Sequence, residues 1–84
     1  MKLKTIFVDF NNVDSLGRVR LNTVGSIKDI KNKKIRLENN LKLVIDDDDG
    51  LKALAIIEYS EEENIWVARI AMIPLVCDED YFNY

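Results

Sequence analysis

Eighty-four residues, 48% hydrophobic and 32% charged, have the make-up of one small globular domain, not of a disordered chain. The absence of histidine and a single cysteine, Cys77, remove the usual general base, every Ser-His or Cys-His pair, an intrachain disulfide and a cysteine-built structural zinc site. The formal net charge of −3 is uneven: residues 1–36 hold nine Lys/Arg against three Asp, and residues 37–84 hold three against twelve Asp/Glu.

From the N-terminus, residues 4–10 (KTIFVDF) carry β-branched and aromatic side chains at most positions, as a strand does. The two-residue period places Ile6, Val8 and Phe10 on one face. Phe7 points the other way and needs a cover of its own. Residues 11–17 (NNVDSLG) form a loop, with Asp14 and Gly17 at the ends of a type I turn. Residues 18–22 (RVRLN) alternate again, Val19 and Leu21 inward, Arg18 and Arg20 outward. The first two strands are thus expected to pair antiparallel.

A short helix follows, from Ser26 to Asn32 or Lys33. Ser26 with Asp29 resembles a capping box, and Gly25 lets the chain turn before it. Ile27 and Ile30 give it an apolar edge. Lys31, Lys33 and Lys34 stand at its C-terminal end, where positive charge offsets the helix dipole. Residues 34–38 (KIRLE) and 41–45 (LKLVI) read as one strand interrupted at Asn39-Asn40. Residues 46–50 (DDDDG) are a solvated turn. An EF-hand reading of that turn fails on spacing: with Gly50 as its glycine, Ile45 and Ile56 fall at ligand positions.

Residues 51–73 form the longest nearly apolar stretch, interrupted only at residues 60–64 (SEEEN). They read as two strands, 51–59 and 64–73, joined by that loop. A helix over 51–59 is the rival, since LKALAI is made of good helix formers. It would be apolar nearly all round, with Leu54, Ala55, Ile56 and Ile57 consecutive, and so small a domain has little room to bury it. Trp66, the only tryptophan, heads the second strand and is expected to be core or half-buried. Pro74 ends that strand. Residues 77–84 form an acidic, then aromatic tail containing Tyr81, Phe82 and Tyr84. Cys77 stands before three carboxylates, which disfavour a thiolate.

Two resemblances attach to these motifs. Gly17-Arg18-Val19-Arg20-Leu21, a short helix, then Ile35-x-Leu37 and Leu41-x-Leu43 before an acidic turn resemble the AbrB/MazE-type swapped-hairpin DNA binders. In that family's G-R-[IV]-x-[IL]-P core a proline stands where this chain has Asn22, and the match covers a third of the chain. The resemblance implies duplex binding by the basic N-terminal half. Separately, VDFNN, GRVRLNT, EYSEE and WVA are similar to segments of a group of small bacterial proteins, a likeness that carries no function with it.

The expected architecture is a mainly β, small five-stranded antiparallel barrel, SH3-like, with one short helix between strands 2 and 3. Residues 1–76 make the barrel and 77–84 the tail. The expected function is that of a non-enzymatic protein-interaction module or small subunit, with no cofactor, no metal and no membrane partner. Its partner would be another protein or a second copy closing a strand edge. Trp66, Tyr81, Phe82 and Tyr84 are the candidate contacts. The alternative is a nucleic-acid-binding regulator using Arg18, Arg20, Lys28, Lys31, Lys33, Lys34 and Arg36 as a phosphate-contacting patch. No aromatic lies between residues 11 and 58 to stack on bases beside that patch. An N-terminal apolar run that stops at Asp9, too short for a secretory signal, makes the cytoplasm the expected compartment.

Overall fold

The computed structural model of the chain describes residues 3–72. Five strands and one helix follow in the order β1 (Thr5–Phe7), β2 (Val19–Arg20), α1 (Val24–Asn32), β3 (Lys42–Asp46), β4 (Lys52–Ser60) and β5 (Ile65–Met72). The strands form one curled, barrel-like sheet in the spatial order β1-β3-β4-β5-β2. The fold is thus mainly β with a single short helix after the second strand. The sheet is mixed, because β1 runs parallel to β3 while the other three pairings are antiparallel.

The expected pairing of the first two strands does not occur. β1 and β2 stand at opposite edges of the sheet, and β2 pairs with β5. What pairs locally with β2 is the loop before it: Val13 bridges Val19, the Asp14 N–H donates to the Arg18 carbonyl and the Arg20 N–H to the Asn12 carbonyl. The expected Asp14–Gly17 turn closes this hairpin, with the Gly17 N–H donating to the Asp14 carbonyl and Gly17 at φ +78°.

Residues 52–60 are strand and not helix, as the consecutive apolar residues required. Along β4, Ala53, Ala55 and Ile57 are fully buried, and Leu54 and Ile56 between them are half-buried. The core joins these to Ile6, Val8, Val19, Leu21, Leu43, Ile45 and Ala68. Ile6 and Val8 share the buried face expected of them, and Phe10 packs against it.

Residues 34–38 are not a strand, which corrects the expectation, and the reason lies at the end of α1. Lys33 is the C-cap, and Lys34 takes the left-handed conformation, φ +54°. The Lys34 N–H donates to the Lys31 carbonyl and the Ile35 N–H to the Ile30 carbonyl. This is the Schellman arrangement, here with lysine where glycine is usual, and it packs Ile35 near Ile30. The chain is thereby turned back over the core edge, and Ile35 and Leu37 are half-buried without pairing. A strand begins only after Asn40, itself at φ +73°.

Helix α1 also begins earlier than expected. Thr23 is the N-cap, its Oγ1 accepting from the Ser26 N–H. Ser26 and Asp29 are not a capping box. Both reach out to β1: the Ser26 hydroxyl donates to the Phe7 carbonyl at 2.7 Å, and Asp29 Oδ2 accepts from the Phe7 N–H at 2.8 Å. Lys33 Nζ donates to the Thr5 carbonyl. Gly25 lies inside the helix and covers the Phe7 ring. A Cβ there would stand 2.5 Å from Phe7 Cδ2.

On an exposed helix, Gly→Ala stabilises by up to about 1 kcal/mol. Here Gly25→Ala is expected to destabilise, by about 1–3 kcal/mol, because the methyl group overpacks the Phe7 contact. Denaturant unfolding of the two proteins side by side measures the sign.

Candidate functional site

The sequence-predicted basic residues separate into two groups. Arg18 and Arg20 lie on the hairpin that flanks β5, and both are engaged by carboxylates. Arg18 Nε bonds Asp14 Oδ2 at 2.9 Å, and its Nη1 reaches Glu58 Oε1 at 3.3 Å. Glu58 in turn accepts from Arg69 Nε at 2.9 Å, so four side chains alternate in charge across the hairpin, β4 and β5. Arg20 grips Glu63 with two bonds, 2.7 and 2.9 Å, and donates to Asn12 Oδ1. A forked pair of this kind fixes geometry as well as charge.

These contacts shift the acids in one direction. Burial alone would raise the Asp14 pKa, but the Arg18 N–H, the Arg18 guanidinium and the Leu16 N–H outweigh it and hold the carboxyl below its ordinary value. Arg69, and then Arg18, lower Glu58 against the opposing effect of burial. Arg20 lowers Glu63.

The second group lies on and after α1. Lys33 is turned toward β1, paired with Asp29 at 3.9 Å. Lys28, Lys31, Lys34 and Arg36 are exposed and make no ion pair among the described residues.

Lys31 and Lys34 stand on the rim of an apolar groove of about 500 Å³. One wall is α1 with Ile27 and Ile30. The segment after the helix adds Ile35 and Leu37, and the facing wall is Leu21, Ile65 and Trp66, with Asn22 and Asn64 at the ends. The groove exists because of how α1 is turned. Its polar residues Ser26, Asp29 and Lys33 face the sheet edge, and its apolar Val24 and Ile27 face outward. Ile27 is 54% exposed and Val24 82%. Isolated apolar residues at a surface are ordinary, whereas an apolar groove edged by unpaired charge marks a binding surface.

Trp66 is half-buried and lines this groove, within the range expected of it. Its ring meets Tyr59 edge to face, centroids 5.1 Å apart, and its carbonyl accepts from the Leu21 N–H. The ring is thus held from behind and along the strand. Of the residues singled out in sequence, the fold brings together Trp66, Lys31 and Lys34. Arg18 and Arg20 fall elsewhere. Tyr81, Phe82 and Tyr84 lie outside the described residues, as does Cys77. Ile35 and Leu37, expected to face inward, and Ile30, expected on the apolar edge of the helix, pack against the core and also line the groove, together with the exposed Ile27. A partial signal for this was present in the sequence: Val24 and Ile27 lie off the face that Ser26, Asp29 and Lys33 share, whereas Ile30, four residues after Ser26, borders it.

The acidic turn uses its carboxylates on its own backbone: Asp46 accepts from the Asp48 N–H, and Asp47 from those of Asp49 and Leu51. Among the described residues no group of three or more Cys, Asp or Glu side chains converges to hold a metal ion. No helix is long and apolar enough to cross a membrane.

Compared with protein-family models, curated proteins and solved structures, the chain matches none.

The paired carboxylates set a pH dependence. A group whose native pKa is lowered contributes stability that is complete above its ordinary value and is lost as pH falls through the native one. The ordinary values are 3.8 for Asp14 and 4.5 for Glu58 and Glu63. Stability is therefore expected to be flat above about pH 5 and to fall progressively below it. Arg18→Met, which removes a partner of both Asp14 and Glu58, is expected to lower stability at neutral pH and to make the acid decline shallower. Urea midpoints over a pH series measure both.

Proposed function

We propose that the protein is a cytoplasmic, non-enzymatic interaction module. Its small barrel, SH3-like in size and strand number, presents the α1–Trp66 groove to a short segment of another protein. The observation that carries this reading is the orientation of α1: its polar stripe is consumed at the β1 edge, and its isoleucines are left facing Trp66 across an open groove. The partner segment is one with a bulky apolar anchor beside carboxylates. The anchor fits between Ile30 and Trp66, and the carboxylates meet Lys31 and Lys34, whose ammonium groups have no acid among the described residues. An amphipathic segment in a hydrophobic groove is a recurring mode of peptide recognition, and a half-buried tryptophan backed by a second aromatic is a typical anchor site.

The nucleic-acid alternative draws less support from the same geometry. Arg18 and Arg20 are committed to carboxylates, and the remaining cations flank an apolar surface that offers one aromatic ring. A second copy adding a strand at the β1 edge is also poorly served, since Phe7 N–H, Phe7 C=O and Thr5 C=O are all taken by α1.

Panning a displayed random-peptide library on the full chain tests the proposal. Selected peptides are expected to place an aromatic or long aliphatic residue next to Asp or Glu and to change Trp66 fluorescence on binding. Ile30→Asp is expected to abolish that binding, and Lys31→Glu with Lys34→Glu to weaken it tenfold or so while reversing its salt dependence. No consensus from panning, together with duplex DNA binding that falls steeply with salt, would replace this reading with the nucleic-acid one.

A further inference from the structure

We infer that the groove's resident occupant is the chain's own C-terminal segment, residues 77–84, held in cis. The inference rests on the peptide-docking reading above and names its first ligand.

Chemistry is the first argument. Residues 78–82 read Asp-Glu-Asp-Tyr-Phe, three carboxylates followed at once by two aromatic rings. That is the composition the groove calls for: apolar surface from Ile27, Ile30 and Trp66, beside the unpaired ammonium groups of Lys31 and Lys34. The uneven charge of the sequence has the same complement, since Lys31 and Lys34, which have no acidic partner among the described residues, and the acidic segment 78–80 belong to one chain.

Reach is the second. Strand β5 starts at the groove and carries the chain from Trp66 to Met72, six residues or roughly 20 Å of strand. Ten residues separate Met72 from Phe82, enough to span about 33 Å when extended. That length is enough for the segment to reach Trp66 without any change in the sheet.

Tethering is the third. A short linker gives an attached segment an effective concentration of order mM. Contacts too weak to hold a free peptide suffice to hold this one. A partner must then displace it, so the segment sets a threshold for binding and favours partners that match the groove more closely.

The test uses the full-length chain with a nitroxide at position 83 (Asn83→Cys in a Cys77→Ser background), leaving the acidic and aromatic residues in place. In isotope-labelled protein, the Trp66 indole and the Ile27 and Ile30 methyl signals are expected to lose most of their intensity, while those of residues 47–50, at the far end of β4, keep theirs. Phe82→Ala is expected to restore the groove signals and to raise the affinity for a selected external peptide several-fold, with the dispersion of the remaining spectrum unchanged. Groove signals that keep their intensity in the labelled chain overturn the inference. So does broadening that appears only between separately labelled copies in a mixed sample, which places the segment in trans. The docking reading fails separately: if the Phe82→Ala chain, with its groove vacated, binds no acidic-aromatic peptide, the groove is not a peptide site at all. If that chain binds such peptides while the nitroxide leaves the groove untouched, only the cis occupant is lost.

Discussion

The outer edge of β1 is the constraint from which the rest follows. An edge strand presents backbone donors and acceptors that must be satisfied, and β1 is only three residues long. Helix α1 satisfies them with side chains: Asp29 takes the Phe7 N–H, Ser26 the Phe7 carbonyl and Lys33 the Thr5 carbonyl. Gly25 completes the contact by letting the helix axis come close to the Phe7 ring. Residues 26, 29 and 33 share one helix face, so dedicating that face to the strand edge turns residues 24 and 27 away from it, while Ile30 at its border packs against the core. The groove is the consequence. A helix that buried its isoleucines in the usual way would leave the edge open and Trp66 covered.

The uneven charge of the sequence resolves along the same line. The hairpin of residues 12–20 folds onto β5 and brings the early arginines against acids from later in the chain: Arg18 to Glu58, Arg20 to Glu63. Charges distant in sequence therefore cancel in space. Helix α1 takes part in this only through Lys33 and Asp29, which neutralise each other while serving β1. Lys28, Lys31, Lys34 and Arg36 remain as a local excess of positive charge beside an apolar surface, even though the chain as a whole is acidic.

Much of this was legible from periodicity. The inward faces of residues 6, 8 and 10 and of 19 and 21, the strand at 52–60 with its uninterrupted apolar residues, and the turn at Asp14–Gly17 all follow from local pattern and size. What escaped was non-local or masked by a substitute residue. The parallel alignment of β1 with β3 depends on contacts across some 39 positions, Thr5 with Val44, for which alternation gives no cue. Lys34 occupies a left-handed position that glycine normally announces, so Ile35 and Leu37 looked like the start of a strand. Ser26 and Asp29 fit a capping box by spacing, and only the presence of β1 alongside shows that their hydrogen bonds go elsewhere. The groove was hidden for the same reason: Ile27 and Ile30 read as one apolar edge, yet Ile30 packs against the core while Ile27 stays exposed.

The two walls of the groove are held in different ways, and this bears on what it can select. The Trp66 wall is part of the sheet, with its backbone bonded to Leu21 and its ring braced by Tyr59. Among the described elements the α1 wall runs alongside β1 alone, held there by three polar side chains and one glycine contact, with Ile30 packed against the core. Polar contacts to an edge hold direction well, but they do not interlock as a packed core does. A ligand therefore meets one fixed aromatic surface and one wall hung from its far side. Such a site discriminates weakly by exact side-chain shape. Its discrimination comes from where charge falls relative to the apolar anchor, because Lys31 at the end of α1 and Lys34 just after it both line the groove. For the proposed partner segment, recognition then turns on the spacing between a ring and a carboxylate, and not on the identity of the ring.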